Sequence, residues 1–245
     1  MPHPVVLVTG ASRGIGAATA RLFAANGYAV GVNYTKASDA ALELVAEIRS
    51  DGGEAIAIQA DVSVAGDVES MFQTMDAQLG TLDVLVNNAG IFGPRSRVED
   101  LPLNELERVI ATNVTGAIHC AQQAIRRMST RHGGRGGAII NVSSGSAYIG
   151  NPGNGVHYAV SKGALNSFNI GASQELAGEG IRVNAVSPGM TITDMTDALP
   201  LETFTSLPMG RGAEPEEIAE AIWWLATSSA SYVAGANIRV GGGKP

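Results

Sequence analysis

The sequence predicts an α/β protein in which one doubly wound parallel sheet lies between two layers of helices, and three observations carry that reading. Short apolar runs rich in β-branched residues alternate with longer stretches of helical periodicity, the pattern of βαβ units whose strands are buried on both faces. A glycine-rich turn from Gly10 to Gly16 follows the first run directly. The 245 residues, 45% of them hydrophobic, can bury one large core, so residues 1–245 are expected to form a single domain without a separate substrate domain.

Taken in order, strands are expected to start near Val5, Ala29, Ala55, Leu82, Ala138, Arg182 and Asn237. Helical periodicity fills the intervals at Gly14 to Asn26, Ala37 to Ser50, Ala65 to Leu79, Glu105 to Arg131, His157 to Ala177 and Pro215 to Ala226. Right-handed crossovers stack these helices on both faces and place a ligand site at the carboxyl ends of the strands. Gly133 to Gly137 reads as a surface loop between a helix and a strand. Gly241 to Pro245 reads as a short, loosely held tail.

A net charge of -7 disfavours nucleic acid and anionic membrane surfaces as partners. The one cysteine, Cys120, permits no internal disulfide, and the dispersed histidines His3, His119 and His132 form no metal-ligand pattern. Met1-Pro2-His3-Pro4 leads into the first strand with no charged leader or long apolar span, so a cytoplasmic, metal-free protein is expected.

Gly10, Gly14 and Gly16 sit where the first strand turns into a helix, with Ser12, Arg13 and Ile15 between them. Glycines there permit a tight turn and close approach to a pyrophosphate, which the helix N-terminus attracts. A structural turn alone accounts for this motif equally well. The second strand ends at Asn33-Tyr34-Thr35-Lys36 with no acid before Asp39. An acid would favour the free ribose of NAD(H), whereas Arg13 and Lys36 suit a 2'-phosphate, so NADP(H) is expected over NAD(H). Asn33, Tyr34 and Thr35 leave NAD(H) open.

Tyr158 and Lys162 lie four residues apart on a predicted helix and share a face. A tyrosine normally titrates near pH ~10, and a nearby ammonium is expected to lower that value enough for proton exchange. His157 points about 100° away and is expected to be a rim or packing residue. Asn87-Asn88-Ala89-Gly90, Asn113 and Ser143-Ser144 follow apolar runs or lie within a helix in the same chain.

From the Thr9 to Gly16 turn through Asn87 to Gly90, Ser144, Tyr158 to Lys162 and Pro188-Gly189, the chain resembles the short-chain dehydrogenase/reductase family over nearly its whole length. The resemblance implies a Rossmann-like three-layer fold and hydride transfer between a carbonyl and an alcohol. It implies Tyr158 as general acid/base, Ser144 as holder of the substrate oxygen, Lys162 on the nicotinamide ribose and Asn113 in a water relay. It also implies Asp61 and Val62 at adenine, Asn88 with Ala89 and Gly90 near the ribose, and Pro188, Gly189, Thr191 and Thr193 around nicotinamide. For Asp61, a local capping role competes with adenine contact.

Ser144 lies fourteen residues before Tyr158, one more than in many members, so the Gly145 to His157 segment is expected to bulge and Ser143 or Ser146 remain alternatives. Val240-Gly241-Gly242 lacks the acid many relatives carry there. Met190 to Pro208 is expected to form a lid, with Met190, Met195, Leu199, Phe204 and Leu207 as apolar wall candidates and Tyr148, Phe92 and Asn151 bordering the same cleft.

The chain is similar to bacterial members described as glucose-dehydrogenase-like or 3-oxoacyl-carrier-protein-reductase-like. Arg126, Arg127, Arg131 and Arg135 suit an acidic carrier protein, although basic residues near a helix end also favour its dipole, and Glu179 weakens the carrier reading. A dinucleotide-binding sensor without turnover is a rival of another class, opposed by the Ser144, Tyr158 and Lys162 set. Trp223-Trp224-Leu225, with Tyr232, Val233, Ile238 and Val240, is expected to contribute to a homotetramer interface.

Overall fold

The computed structural model describes residues 3–244. Met1 and Pro2 of the expected leaderless start, and Pro245 of the expected tail, lie outside the described residues. In chain order the elements are β1 (Val5–Val8), α1 (Gly14–Ala25), β2 (Ala29–Tyr34), α2 (Ser38–Ser50), β3 (Glu54–Gln59), α3 (Ala65–Gln78), β4 (Val84–Asn87), α4 (Leu103–Ile110), α5 (Ala117–Met128), β5 (Gly137–Val142), α6 (Ser146–Ile149), α7 (Val156–Leu176), β6 (Ile181–Pro188), α8 (Leu201–Thr205), α9 (Pro215–Ala226) and β7 (Asn237–Val240). No helix among them is long and apolar enough to cross a membrane.

The seven strands are parallel, in the order β3-β2-β1-β4-β5-β6-β7. Alternation along each strand sorts the side chains into two cores. Val6, Val8, Val86 and Ile140 pack with Phe23 of α1, Leu44 of α2 and Ile222 of α9. Val5, Leu7, Leu85 and Ile139 pack with Phe72 of α3, Cys120 of α5 and Leu176 of α7. The result is a Rossmann-like three-layer architecture. Its connectivity reverses direction between β1 and β4, which opens a crevice at their carboxyl ends.

Several expectations are corrected by packing. The helix expected from Glu105 to Arg131 is divided: α4 and α5 are joined by a π-helical segment, Ala111–Gly116, and α5 ends at Met128 before a 3-10 turn, Thr130–His132. Trp223 is not at the surface but completes an aromatic trio with Phe23 and Tyr28, with ring centroids 5.0, 5.0 and 5.5 Å apart. Leu225 is buried, and Val233, Ile238 and Val240 pack on the same core, so Trp224 and Tyr232 are the exposed members of the expected interface set. Gly241 to Lys244 are not loosely held. Their backbone closes against Gly189, whose N–H donates to the Val240 carbonyl at 2.8 Å, and the Lys244 N–H donates to the Gly241 carbonyl at 3.1 Å.

Candidate active site

The turn after β1 is clamped from both neighbouring strands. The Thr9 hydroxyl donates to the Val86 carbonyl at 3.3 Å and accepts from the Asn88 and Ala89 N–H groups, each at 3.0 Å. The Asn88 amide donates to the carbonyls of Thr9 and Gly10 at 2.8 and 2.9 Å. From β2, the Asn33 carboxamide oxygen accepts the Gly10 N–H at 3.1 Å, while its nitrogen donates to the Ala60 and Ile58 carbonyls at 3.0 and 3.3 Å.

Gly10 has φ +61°, and a Cβ on Gly16 would lie 2.5 Å from the Gly10 carbonyl oxygen, so side chains are sterically barred from both positions. No side chain caps the N-terminus of α1, where Arg13 is the cap residue. The first-turn N–H groups of Gly14, Ile15 and Gly16 therefore have no side-chain acceptor and suit a phosphate. Together, the tight glycine turn and this donor set fit a dinucleotide pyrophosphate.

Burial limits how two of the expected cofactor residues could act. The Asn33 side chain is buried and braces the cradle through the Gly10 N–H. The Val62 side chain is buried in the second core, which leaves its backbone as the part that could meet a cofactor. The Ile15 side chain packs on the first core, while its backbone stays in the turn. Ser12 is half-buried in the turn and Tyr34 half-buried at the end of β2; Thr35 and Lys36 are exposed beyond it. The Asp61 carboxylate accepts from the Ser63 N–H at 2.9 Å and hydroxyl at 2.6 Å, a local turn that engages one of its oxygens.

Arg13 meets Asp194 of the lid at 3.0 Å, with the two side chains 68% and 60% exposed. Thr193 stands over Gly14. Thr191 is buried and donates to the Gly189 carbonyl at 3.3 Å, and the Pro188 carbonyl accepts the Gly145 N–H at 2.8 Å. The sequence-predicted Pro188 to Thr193 stretch thus runs from the end of β6 to the rim of the cradle. Among the apolar wall candidates, Leu207 is buried and Met195 is exposed, while Met190, Leu199 and Phe204 are half-buried.

Ser144 lies near enough to Tyr158 to oppose part of the burial-driven rise in its pKa, and its hydroxyl accepts the Ser146 N–H at 3.1 Å. Ser143 points the other way, donating to the Lys162 carbonyl and the Asn166 side chain at 3.1 and 2.7 Å. Of the three candidate serines, Ser144 is the one that bears on the Tyr158 pKa. The extra residue before Tyr158 is absorbed by α6 and a following turn, in which Gly150, Asn151 and Gly153 have positive φ.

Burial raises the Tyr158 pKa, and Ser144 offsets part of that rise. The net direction is therefore upward, opposite to the lowering expected for this residue. The Lys162 ammonium donates to the Val142 carbonyl at 2.7 Å and sits 5.8 Å from the Tyr158 ring centroid. Burial pushes Lys162 itself down to about 8.

Behind this pair, Asn113 lies in the π-helical segment and is fully buried. Its oxygen accepts the Ile91 N–H at 2.8 Å, and its nitrogen donates to the Ile91 carbonyl and the Ser161 hydroxyl, both at 2.9 Å. Gly90 lies between Lys162 and Asn113. Sequence reasoning missed Ser161, which donates to the Tyr158 carbonyl at 2.7 Å, and missed the Val142 carbonyl, because backbone acceptors leave no mark in residue type. It also left His157 without a partner, whereas the structure places it against the Phe92 carbonyl.

Comparison with known proteins agrees with this arrangement. A family model described as enoyl-(acyl carrier protein) reductase matches residues 10–244. The uncharacterized oxidoreductase YgfF of Escherichia coli is 45% identical over 98% of this chain and 99% of its own length. The 3-oxoacyl-[acyl-carrier-protein] reductase FabG of Staphylococcus aureus is 42% identical over 97% of this chain and 96% of its own. A short-chain dehydrogenase from Burkholderia cenocepacia, solved in complex with NADP, superposes with a TM-score of 0.91 at 33% identity, covering 99% of this chain and 98% of that one. With crevice, cradle and Ser144, Tyr158 and Lys162 in one place, these matches establish that the chain belongs to the short-chain dehydrogenase/reductase family of oxidoreductases.

Proposed function

We propose that the chain interconverts a carbonyl and an alcohol on a small molecule, with NADP(H) as the preferred cofactor and Tyr158 as general acid/base, in a single domain whose residues 190–208 form the substrate lid. The observation that carries this reading is the placement of Ser144, the buried Tyr158 and the buried Lys162 together at the crevice, with the Lys162 ammonium 5.8 Å from the Tyr158 ring centroid. When bound, the dinucleotide donates a hydride in the reducing direction and accepts one in the oxidising direction. Tyr158 gives its proton to the carbonyl oxygen during reduction, and Ser144 donates a hydrogen bond to the same oxygen. Lys162 would hold the nicotinamide ribose, and its charge favours the phenolate that remains. Asn113 fixes the backbone at Ile91 and serves a proton path through water.

The N–H groups of Gly14 to Gly16 would hold the pyrophosphate, with Asn88, Ala89 and Gly90 beside the ribose, Asp61 at adenine, and Pro188, Gly189, Thr191 and Thr193 beside nicotinamide. Preference for NADP(H) rests on Arg13 and Lys36 together with the missing acid after β2. Arg13 must exchange Asp194 for the 2'-phosphate. That exchange costs little, because an exposed pair is weak and the phosphate carries more charge.

Likeness to the Staphylococcus reductase favours a 3-oxoacyl substrate as a second reading. Three of the four basic residues that suit a carrier protein, all but Arg126, carry acidic partners of their own that offset their charge. Arg127 pairs with Asp76 at 2.8 Å, Arg131 with Glu179 at 3.8 Å and Arg135 with Asp83 at 3.1 Å. The broader carbonyl class is therefore retained. The same reading includes a cytoplasmic homotetramer, for which the exposed Val160 and Ile170 on α7 provide apolar surface.

The deciding experiment titrates the protein with NADPH and NADH by fluorescence, then screens a carbonyl panel beside Tyr158→Phe. Tyr158-dependent oxidation of NADPH supports the reading. Tight NADPH binding with no turnover of any carbonyl or alcohol transfers the weight to a sensor, and tighter binding of NADH overturns the roles given to Arg13 and Lys36.

A further inference from the structure

His157, the residue before Tyr158, sits on the opposite side of α7's first turn from solvent and is buried. Its Nε2 lies 3.0 Å from the Phe92 carbonyl oxygen. A carbonyl only accepts, so Nε2 must carry the proton in this contact. Phe92 in turn lays its ring over Tyr158, with centroids 4.8 Å apart and planes tilted by 32°. The His157 ring meets the same Phe92 ring edge-on at 6.3 Å. One imidazole therefore ties together the loop after β4 and the helix that carries the proton donor.

The surroundings are shaped to this contact. A Cβ on Gly93, which has φ +78°, would come within 2.9 Å of His157 Nε2, and a Cβ on Gly155 would come within 2.6 Å of the Phe92 ring. Asn113 pins the neighbouring Ile91 from the other side through both its N–H and its carbonyl. The Ser96 N–H ties the far end of the loop to the Asn154 carbonyl at 3.2 Å. Between these two anchors, His157 holds the Phe92 backbone by a hydrogen bond, while the Arg95 guanidinium lies over the outer side of the ring at 5.9 Å.

We infer that His157 is a positioning residue which, through its Nε2–H bond to the Phe92 carbonyl, holds the Phe92 ring over Tyr158 as one wall of the substrate site. This rests on the assignment of Tyr158 as proton donor. The wall faces the group beside the reacting carbonyl, so its loss weakens substrate placement more than it changes proton transfer.

The test compares His157→Phe, which keeps an aromatic volume and removes the donor, with His157→Gln, whose amide can reach the same carbonyl. Both are assayed with NADPH and the best carbonyl from the panel, in the Phe92 and Phe92→Ala backgrounds. The loss of one hydrogen bond implies that His157→Phe lowers kcat/KM by about tenfold, mainly through KM. His157→Gln is expected to recover most of that loss, NADPH affinity to stay unchanged, and the effect to vanish in the Phe92→Ala background. Full additivity with Phe92→Ala, or unchanged KM in His157→Phe, overturns the inference.

A second measurement guards against a variant that fails to fold. Nitrogen-15 NMR of the unsubstituted protein is expected to show neutral His157 protonated at Nε2, and the Nδ1–H form overturns the proposal without any assay. If the unsubstituted protein turns over no carbonyl, the parent reading falls while the tautomer still reports on the His157 contact.

Discussion

The wall of the crevice and the lid beside it are held in opposite ways. On the wall, Thr9, Asn88, Asn113, Ser143 and Lys162 each spend their polar atoms on named backbone or side-chain partners at 2.7 to 3.3 Å, and most are buried. From Met190 to Pro208, the Thr196 hydroxyl bonds only within the lid, to the carbonyls of Thr191 and Thr193 at 2.7 and 2.9 Å. Ile192, Met195 and Leu201 are exposed there, and a cavity of about 310 Å³ is lined by Ile192, Thr196, Leu201, Phe204 and Arg211. The wall is pre-organised for chemistry, whereas under the proposed function the 190–208 segment is the part that can repack around different substrates at small cost.

The largest expected effect breaks the wall at its reactive atom. Tyr158→Phe is expected to lower carbonyl reduction by about 10²- to 10⁴-fold with NADPH affinity retained, and steady-state rates near normal contradict the assignment. Next comes the cradle. Gly16→Ala drives a methyl group into the Gly10 carbonyl and the Asn88 amide, and overpacking of this kind costs about 1–3 kcal/mol. Fluorescence titration should show NADPH binding weakened at least tenfold, and wild-type affinity would show that the turn yields more easily than its bonding implies.

A pH profile sharpens the comparison further. Below about pH 8 Lys162 is charged, and Tyr158, whose pKa burial raises, keeps its proton, so reduction is fastest there. As pH rises through that value the ammonium is lost, the phenolate is less favoured and the reduction rate falls. A rate that climbs from pH 7 to pH 9 contradicts this coupling. The smallest effect belongs to the lid: Asp194→Ala frees Arg13 and should tighten NADPH binding about two- to threefold while leaving NADH unchanged, because exposed ion pairs are weak.

Much of this difference was written in local residue patterns. A continuous apolar run such as Val5 to Val8 specifies a strand buried on both faces directly, and the Tyr158 and Lys162 spacing specifies a shared helix face. What escaped depends on partners distant in sequence. Residue type left Trp223 open between interface and core until Phe23 and Tyr28 came round to meet it, and gave no sign that Asp76, Asp83 and Glu179 would pair with Arg127, Arg135 and Arg131. Asn33 has a residue type suited to a ligand, but its direction was fixed by the carbonyls of Ile58 and Ala60 on the next strand. Lys162 likewise reaches a carbonyl on β5 that no side-chain pattern announces.

The π-helical segment from Ala111 to Gly116 joins two helices with different neighbours. Ahead of it α4 packs on α7, and beyond it α5 packs on α3 and the sheet. A π turn holds one more residue than an α turn, so removing one residue from this segment would let α4 run on into α5 as continuous α-helix with the apolar stripe of α5 still facing the core. What such a deletion would displace is Asn113 itself, whose bonds to Ile91 and Ser161 depend on the wider turn.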